Sequence, residues 1–490
     1  MTSSPIIEPL SAAFPPVVQS QIDRPIVHRR SWLTTIAPAY LGVFVWVPFL
    51  DPLGTVDQGS AGLLSPFLSA LLALIAGYLL LYDRPARLGW SSGERLPVVA
   101  SASLGTEGAE WIAGVLFGLF GLVWCAVSIY FSVKLILLGL ISWNLIDAAG
   151  VLRGNFGGLP LESPLFLVCV AFWTFIITAA NGLRLVSVIA ALLKVYAPVA
   201  ALLLILAAAW AWAHVVPDGT LTSRPATAAL IEPRIFQLVF GYFAFAGLIG
   251  VEWGAAVRER RDVRIGGWLG ILAAGAVTVL SALVLGASDP GVSKMAGGLD
   301  WIPARGSFQG ALFRGIGATA GGKAAGLLLL LFGVAALAPA CYGSAIYTSR
   351  FRAHWPVLQK RAGVCLGCGL IFVLAATALA ARLETIFTIS GALFAPVAGV
   401  MTAESLLSRG RWTGVRAGWR LPGVSAWSLG VLIGLAPVME GLTGSTRLGS
   451  IQPAALYAYL AAAIVYGAAS LLGPNAPAVA IARAERSGDA

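Results

Sequence analysis

The chain has 490 residues, of which 58% are hydrophobic and only 11% charged, and its mean hydropathy is +0.85. This excludes a soluble globular domain and predicts an all-α polytopic membrane protein. The net charge of +10 does not call for a nucleic-acid partner, because the basic residues gather in alternate loops, where positive charge sets membrane orientation.

In chain order, residues 1–31 read as a polar cytoplasmic tail. It holds Pro5, Pro9, Pro15, Pro16 and Pro25 and lacks a basic stretch followed by an apolar one, so it is not a cleaved signal. Twelve apolar stretches follow, each near the roughly 20 residues that a bilayer core requires. They cover about 32–53, 61–82, 110–140, 164–181, 184–212, 235–257, 264–286, 324–347, 362–382, 385–405, 422–440 and 453–473. Asn181-Gly182 reads as a tight turn between the fourth and fifth. Segments 83–109 and 287–323 are too polar to span, and the second is expected as a loop with short interfacial helices. With both termini cytoplasmic, roughly 21 Lys and Arg fall inside against roughly 9 outside. The clusters RERRDVR (258–264), Arg350-Phe-Arg352 and RGRWTGVRAGWR (409–420) then share the cytoplasmic face of the cell (inner) membrane.

Two spans are irregular. The first contains Gly42, Pro48, Asp51 and Pro52; the sixth contains Gly247 and Gly250, with the carboxylate Glu252 just beyond. Broken helices with polar groups near the midplane are how secondary transporters build solute sites. Irregularity in spans one and six predicts two inverted five-helix repeats, 32–212 and 235–405. They are joined by an external loop, 213–234, and followed by two further helices within 406–473 and a cytoplasmic tail, 474–490. The candidate solute-binding residues are Gly42, Val43, Phe44 and Trp46 on the first span and Phe243, Gly247 and Gly250 on the sixth. Trp124 lies deep in the third span, where its indole face can stack on a flat ring, and Ser128 follows one turn later on the same face. Phe243 and Phe245 offer a second aromatic wall. Asp51-Pro52 reads as the outer helix end. Glu252 is the candidate coupling group, as a proton carrier or as a partner for Lys134 or Lys194; both lysines also suit snorkelling.

Other chemistries find little support. Cys365-Leu-Gly-Cys368 has metal or redox spacing but no second ligand pair, so these cysteines read as small buried apolar residues. There is no phosphate-binding loop of the G-x-x-x-x-G-K-[ST] type, no H-E-x-x-H and no G-x-S-x-G. No enzyme activity, metal or cofactor is therefore expected.

Three segments carry a resemblance: LPVVASASLGTEGAEW (96–111), NGLRLVSVIAALLKVYAPV (181–199) and FTISGALFAPVAGVMTAESLLSRGRW (387–412). In order and spacing the chain resembles the nucleobase:cation symporter family, the cytosine, purine, uracil, allantoin and hydantoin permeases with a LeuT-like fold, over most of residues 30–475. The resemblance implies a planar heterocycle held between Gly42–Phe44, Trp124, the sixth span around Phe243–Gly250, and the eighth span around Cys341–Ser344, including Cys341 and Ser344. The chain departs from the family at Ser101, where an Arg is usual, and at Ala403-Glu404, where Asp-Tyr is usual. Leu337 and Cys341 stand near the positions of substrate-binding amides. Ala335 and Ala336 stand where sodium-coupled members carry hydroxyl residues, which implies coupling to protons, or none, in place of Na⁺. YFAFAGLIGVEW (242–253) also resembles the sixth span of amino-acid and amine permeases in the wider superfamily. That solute class stays open, as do a channel and a non-transporting sensor.

Overall fold

The computed structural model describes residues 14–24, 26, 28–54, 62–148, 154–156, 159–182, 186–216, 231–288, 308–355, 360–472 and 478–479. Apart from two short antiparallel strand pairs, 154–156 with 159–161 and 415–416 with 478–479, the regular structure of these residues is helical. Among the described residues, eight helices are long and apolar enough to cross a membrane: Leu64–Ser92, Leu96–Ser142, Val195–His214, Pro233–Ala255, Arg260–Ala287, Gly322–His354, Leu383–Leu407 and Ala454–Leu472. Two bent pairs, Ile36–Phe44 with Val47–Gly54 and Leu421–Gly434 with Ala436–Thr443, and two shorter apolar helices, Pro164–Thr178 and Gly363–Ala376, occupy the other expected positions. Residues such as Val168, Phe175, Leu432 and Ile464 are exposed on the outside, as lipid contact requires. The chain is a polytopic helical membrane protein. The expected tail before residue 14, the loops at 217–230 and 289–307, and the tail after 479 lie outside the described residues.

The first span breaks where the sequence places its proline. The helix Ile36–Phe44 ends at Val45 (φ −84°, ψ 5°), and a second helix, Val47–Gly54, leaves at 42°. Pro48 has no N–H to offer the carbonyl of Phe44, so the backbone ladder lapses there. Asp51-Pro52 lies inside the second helix, near its end.

The sixth span corrects the expectation. It is one continuous helix, Pro233–Ala255, and neither Gly247 nor Gly250 interrupts it. Gly247, Gly250 and Gly254 serve close packing against the second span. A Cβ at Gly247 would lie 2.9 Å from Cβ of Leu81, and one at Gly250 would lie 2.7 Å from the ring of Tyr82. One at Gly254 would strike the backbone carbonyl of Ala86, and one at Gly89 would strike that of Val251. Small residues let membrane helices approach until their backbones touch.

Segment 83–109 is helical. Arg84–Ser92 completes the second helix, and Leu96–Gly108 forms a buried helix unwound at Gly105 (φ 77°). There the loop 415–420 enters: Arg420 N–H donates to the Leu104 carbonyl at 3.0 Å, and Glu107 N–H to the Gly418 carbonyl at 3.1 Å. Glu404, on the tenth span, holds the same loop through Arg416 and Arg420, each at 3.0 Å, and through Thr413 at 2.8 Å. It also accepts the Tyr466 hydroxyl of the twelfth span at 2.6 Å. The eighth span has a slight break at Ala336 (φ −62°, ψ −14°) between Gly322–Ala335 and Leu337–His354.

Because backbone cannot yield as a side chain can, Gly89→Leu and Gly254→Leu are each expected to lower stability by about 1–3 kcal/mol. Gly369→Ala, with nothing within 4 Å of the added Cβ, is expected to be neutral. Thermal unfolding in detergent checks this; an unchanged transition for Gly254→Leu would remove the close approach as a constraint.

Candidate functional site

At the break in the first span the apolar side chains are aromatic, and they converge. Trp46, the residue after Val45, lays its indole on that of Trp124 with centroids 4.2 Å apart and planes 9° from parallel. Its N–H donates to Ser128 Oγ at 3.1 Å, and that hydroxyl donates to the Trp124 carbonyl at 2.8 Å. Trp46, Trp124 and Ser128 are all buried. Tyr242 of the sixth span lies 21° from parallel with Trp124 at 5.3 Å, and its hydroxyl donates to the Val43 carbonyl at 2.5 Å. Phe44 stacks on Phe243 at 5.8 Å, and Phe245 lies 5.2 Å from Trp124. Offset stacking of this kind contributes about 0.5–1.5 kcal/mol per pair beyond the area buried.

The structure thus brings together Val43, Phe44, Trp46, Trp124, Ser128 and Phe243. Gly42 is buried in the same helix, with room for a Cβ at 3.8 Å from Ala197. Gly247 and Gly250 lie lower on the sixth span, against Leu81 and Tyr82, and not at the Trp46–Trp124 stack. Cys341 is half-buried and Ser344 buried on the eighth span, beside the close contact of Gly343 with Gly121 and Cys125 of the third. Next to the eighth-span break, the Gly333 carbonyl accepts the Ser132 hydroxyl at 2.6 Å. The Cys365–Cys368 pair is not interior: Cys365 is exposed, and Cys368 meets Thr178 Oγ1 at 2.8 Å. Among the described residues no group of His, Cys, Asp and Glu can hold a metal ion.

Toward the arginine-rich end, where the second, sixth, eighth and tenth spans finish, a second layer of rings follows. Tyr40 meets Tyr82 edge-on at 5.2 Å and Trp253 at 4.6 Å, and Trp253 meets Tyr342 at 6.2 Å. Beyond it lies Glu252, close to the helix end at Ala255 and not at a mid-helix break. Its partners among the described residues are arginines. Glu252 Oε1 is 2.6 Å from Nη2 of Arg350, and Oε2 is 3.6 Å from Nη1 of Arg95. Arg350 is only 3% exposed, so this ion pair binds the sixth span to the eighth in a water-poor setting. The side chain of Lys194 lies outside the described residues, and Lys134 lies within electrostatic reach of Asp51 instead.

The same end is covered by a short helix, Pro16–Ile22, in the segment expected as a polar tail. Its Val17 and Val18 N–H groups donate to the Glu110 carboxylate at 2.8–3.1 Å, and Glu110 also meets His354 Nδ1 at 2.6 Å. Sequence reasoning missed Tyr242, Tyr40, Trp253, Arg95 and Arg350. Tyr242 was legible as an aromatic beside Phe243; the pairing of Arg95 and Arg350 with Glu252 has no local signal.

No family model matches the sequence, and no curated protein matches it at the sequence level. Solved structures do. The fold is similar to Mhp1, a nucleobase-cation-symport-1 family transporter, in a closed conformation with bromovinylhydantoin bound. The TM-score is 0.64 at 12% identity, over 91% of this chain and 94% of that one. The inward-facing conformation of Mhp1 matches with a TM-score of 0.60 at 12% identity, over 90% and 91%. MhsT in complex with L-phenylalanine matches with 0.55 at 17% identity, over 90% and 98%. The chain therefore has the fold of these LeuT-like transporters over nearly its whole length.

Proposed function

We propose that the chain is a secondary transporter that imports a small planar nitrogen heterocycle of the cytosine, purine, uracil, allantoin or hydantoin kind by alternating access. The repeats 32–212 and 235–405 move about the aromatic site. The observation that carries this reading is the parallel stack of Trp46 on Trp124 with the indole N–H satisfied by Ser128. A flat ring with an N–H donor can take the place of the Trp46 indole, exchanging stacking for stacking and one hydrogen bond for another. Trp46 then acts as the plug of the empty site, turning away as solute enters.

With the arginine-rich end assigned to the cytoplasm by its positive charge, the Tyr40–Trp253–Tyr342 layer and the Glu252–Arg350–Arg95 cluster form the inner closure. Coupling belongs to the same cluster in this reading. Protonating Glu252 removes the charge that holds both guanidiniums, so one proton loosens the contact between the sixth and eighth spans. Ala335 and Ala336 bring no side-chain oxygen to a Na⁺ ion, which favours hard oxygen ligands. An amino-acid or amine solute is the second reading, because a phenyl ring also fits an aromatic slot and the fold resembles that of MhsT.

Three outcomes are expected. Trp124→Ala weakens heterocycle binding about tenfold or more, roughly 1.4 kcal/mol, while Trp46→Ala retains or tightens it. Titration of the purified variants checks both, and unchanged affinity in Trp124→Ala removes that residue from the site. Glu252→Gln keeps solute exchange in proteoliposomes but loses accumulation driven by a pH gradient; persisting accumulation would sink the proton role. Uptake competition between heterocycles and amino acids, at fixed pH and membrane potential with and without Na⁺, is expected to favour heterocycles and to ignore Na⁺.

A further inference from the structure

The second, seventh and tenth spans leave a cavity of about 280 Å³ at their arginine-rich ends, distant in role from the aromatic site. Its wall carries Arg84, Arg87, Arg260 and Arg409, with Trp90 and Ser91. Arg84 and Arg87 are one turn apart at the end of the second helix and so share a face. Arg260 opens the seventh helix. Arg409 leaves the tenth in a left-handed conformation, φ 54°, which is uncommon outside glycine. Trp90 is held in place by its indole N–H, which donates to the Arg258 carbonyl at 3.3 Å.

The charge of this cluster is poorly offset among the described residues. Asp83 pairs Arg87 at 2.7 Å. Glu259 and Asp262 are engaged in a reciprocal capping box with backbone N–H groups at the start of the seventh helix. Glu404, near the end of the tenth span, is taken by Arg416 and Arg420. The buried Nε of Arg87 has no hydrogen-bond partner among the described residues. Guanidiniums gathered around a cavity repel one another unless an anion sits between them, and their planar forks match phosphate oxygens.

Two of the spans that bound the cavity carry exposed apolar side chains near it in sequence. Leu406 is part of its wall and is 58% exposed, and Leu79, lower on the second span, is 52% exposed. A ligand with a phosphate head and hydrocarbon chains satisfies both features, and basic pockets between membrane helices at the cytoplasmic side suit such headgroups. We propose that this cavity binds a phosphate group, carried by an anionic phospholipid of the cytoplasmic leaflet, and that the bound lipid ties the second, seventh and tenth spans together.

The test uses the full chain, delipidated in detergent. Native mass spectrometry and thermal unfolding are recorded with phosphatidylglycerol, with phosphatidylcholine and with inorganic phosphate. The wild type is expected to retain phosphatidylglycerol and gain several degrees in its transition, with no gain from phosphatidylcholine. The double variant Arg260→Gln, Arg409→Gln is expected to lose at least fivefold in retention. A control that removes two charges from the same face outside the cavity, Arg261→Gln with Arg352→Gln, is expected to keep it. A shift with inorganic phosphate alone, abolished in the first variant and kept in the control, supports the phosphate site while assigning its occupant to a soluble anion. The proposal is overturned if the cavity variant retains lipid as the wild type does, if the control loses it equally, or if the wild type responds to neither source. Unfolding of both variants without additive shows that they are folded.

Discussion

The approach of the second span to the sixth, backbone against backbone, is the contact on which the rest of this molecule depends. Gly89 and Gly254 admit the opposing carbonyls of Val251 and Ala86, and Gly247 and Gly250 admit Leu81 and Tyr82. With no hydrophobic driving force between helices in lipid, such proximity is what gives dispersion and packing their strength. It holds the sixth span straight, aims Tyr242 and Phe243 at the break in the first span, and delivers Glu252 to Arg350 at its far end.

From that anchor the interior is organised in layers along the length of the sixth span. Stacked rings around Trp46 and Trp124 come first, edge-on rings around Tyr40 and Trp253 next, and ions last. The order makes physical sense. Aromatic pairs tolerate sliding and separation, so a layer of them can part for a solute, whereas a desolvated ion pair has two well-defined conditions, made or broken. Polar groups in the first layer are few: among the described residues the Trp46 N–H meets Ser128, and the Tyr242 hydroxyl meets the Val43 carbonyl. Under the proposed function, a solute that replaced those bonds would meet prearranged partners, which would limit the desolvation cost of entering a buried site.

The basic clusters illustrate how one sequence feature divides in three dimensions. Within 409–420, Arg416 and Arg420 are structural, fastened to Glu404 and to the unwound helix at Gly105. Arg409 and Arg260 instead face a shared cavity with Arg84 and Arg87. A count of positive charge by side treats all of these alike, since insertion responds to charge near the span ends and not to partners.

Much was legible in the chain itself. The helical spans follow from hydropathy because backbone in lipid must be satisfied within its own helix. The break in the first span follows from Pro48, which removes a specific hydrogen bond. The aromatic side chains Trp46, Trp124 and Phe243 were visible as residues in unusual places. What the sequence could not settle was the meaning of its glycines and its carboxylates. Glycine weakens a helix and also permits close packing, and only the neighbouring helix decides which applies; at Gly247 and Gly250 it was packing. A carboxylate near a helix end takes its role from charges far away in sequence, and Arg95 and Arg350 reach Glu252 only once three spans are assembled. Periodicity and proline act locally, so the sequence alone determined the spans and the first break. Packing partners and ion pairs are long-range contacts, so the tertiary structure alone decided which rings meet at the first break and what Glu252 holds.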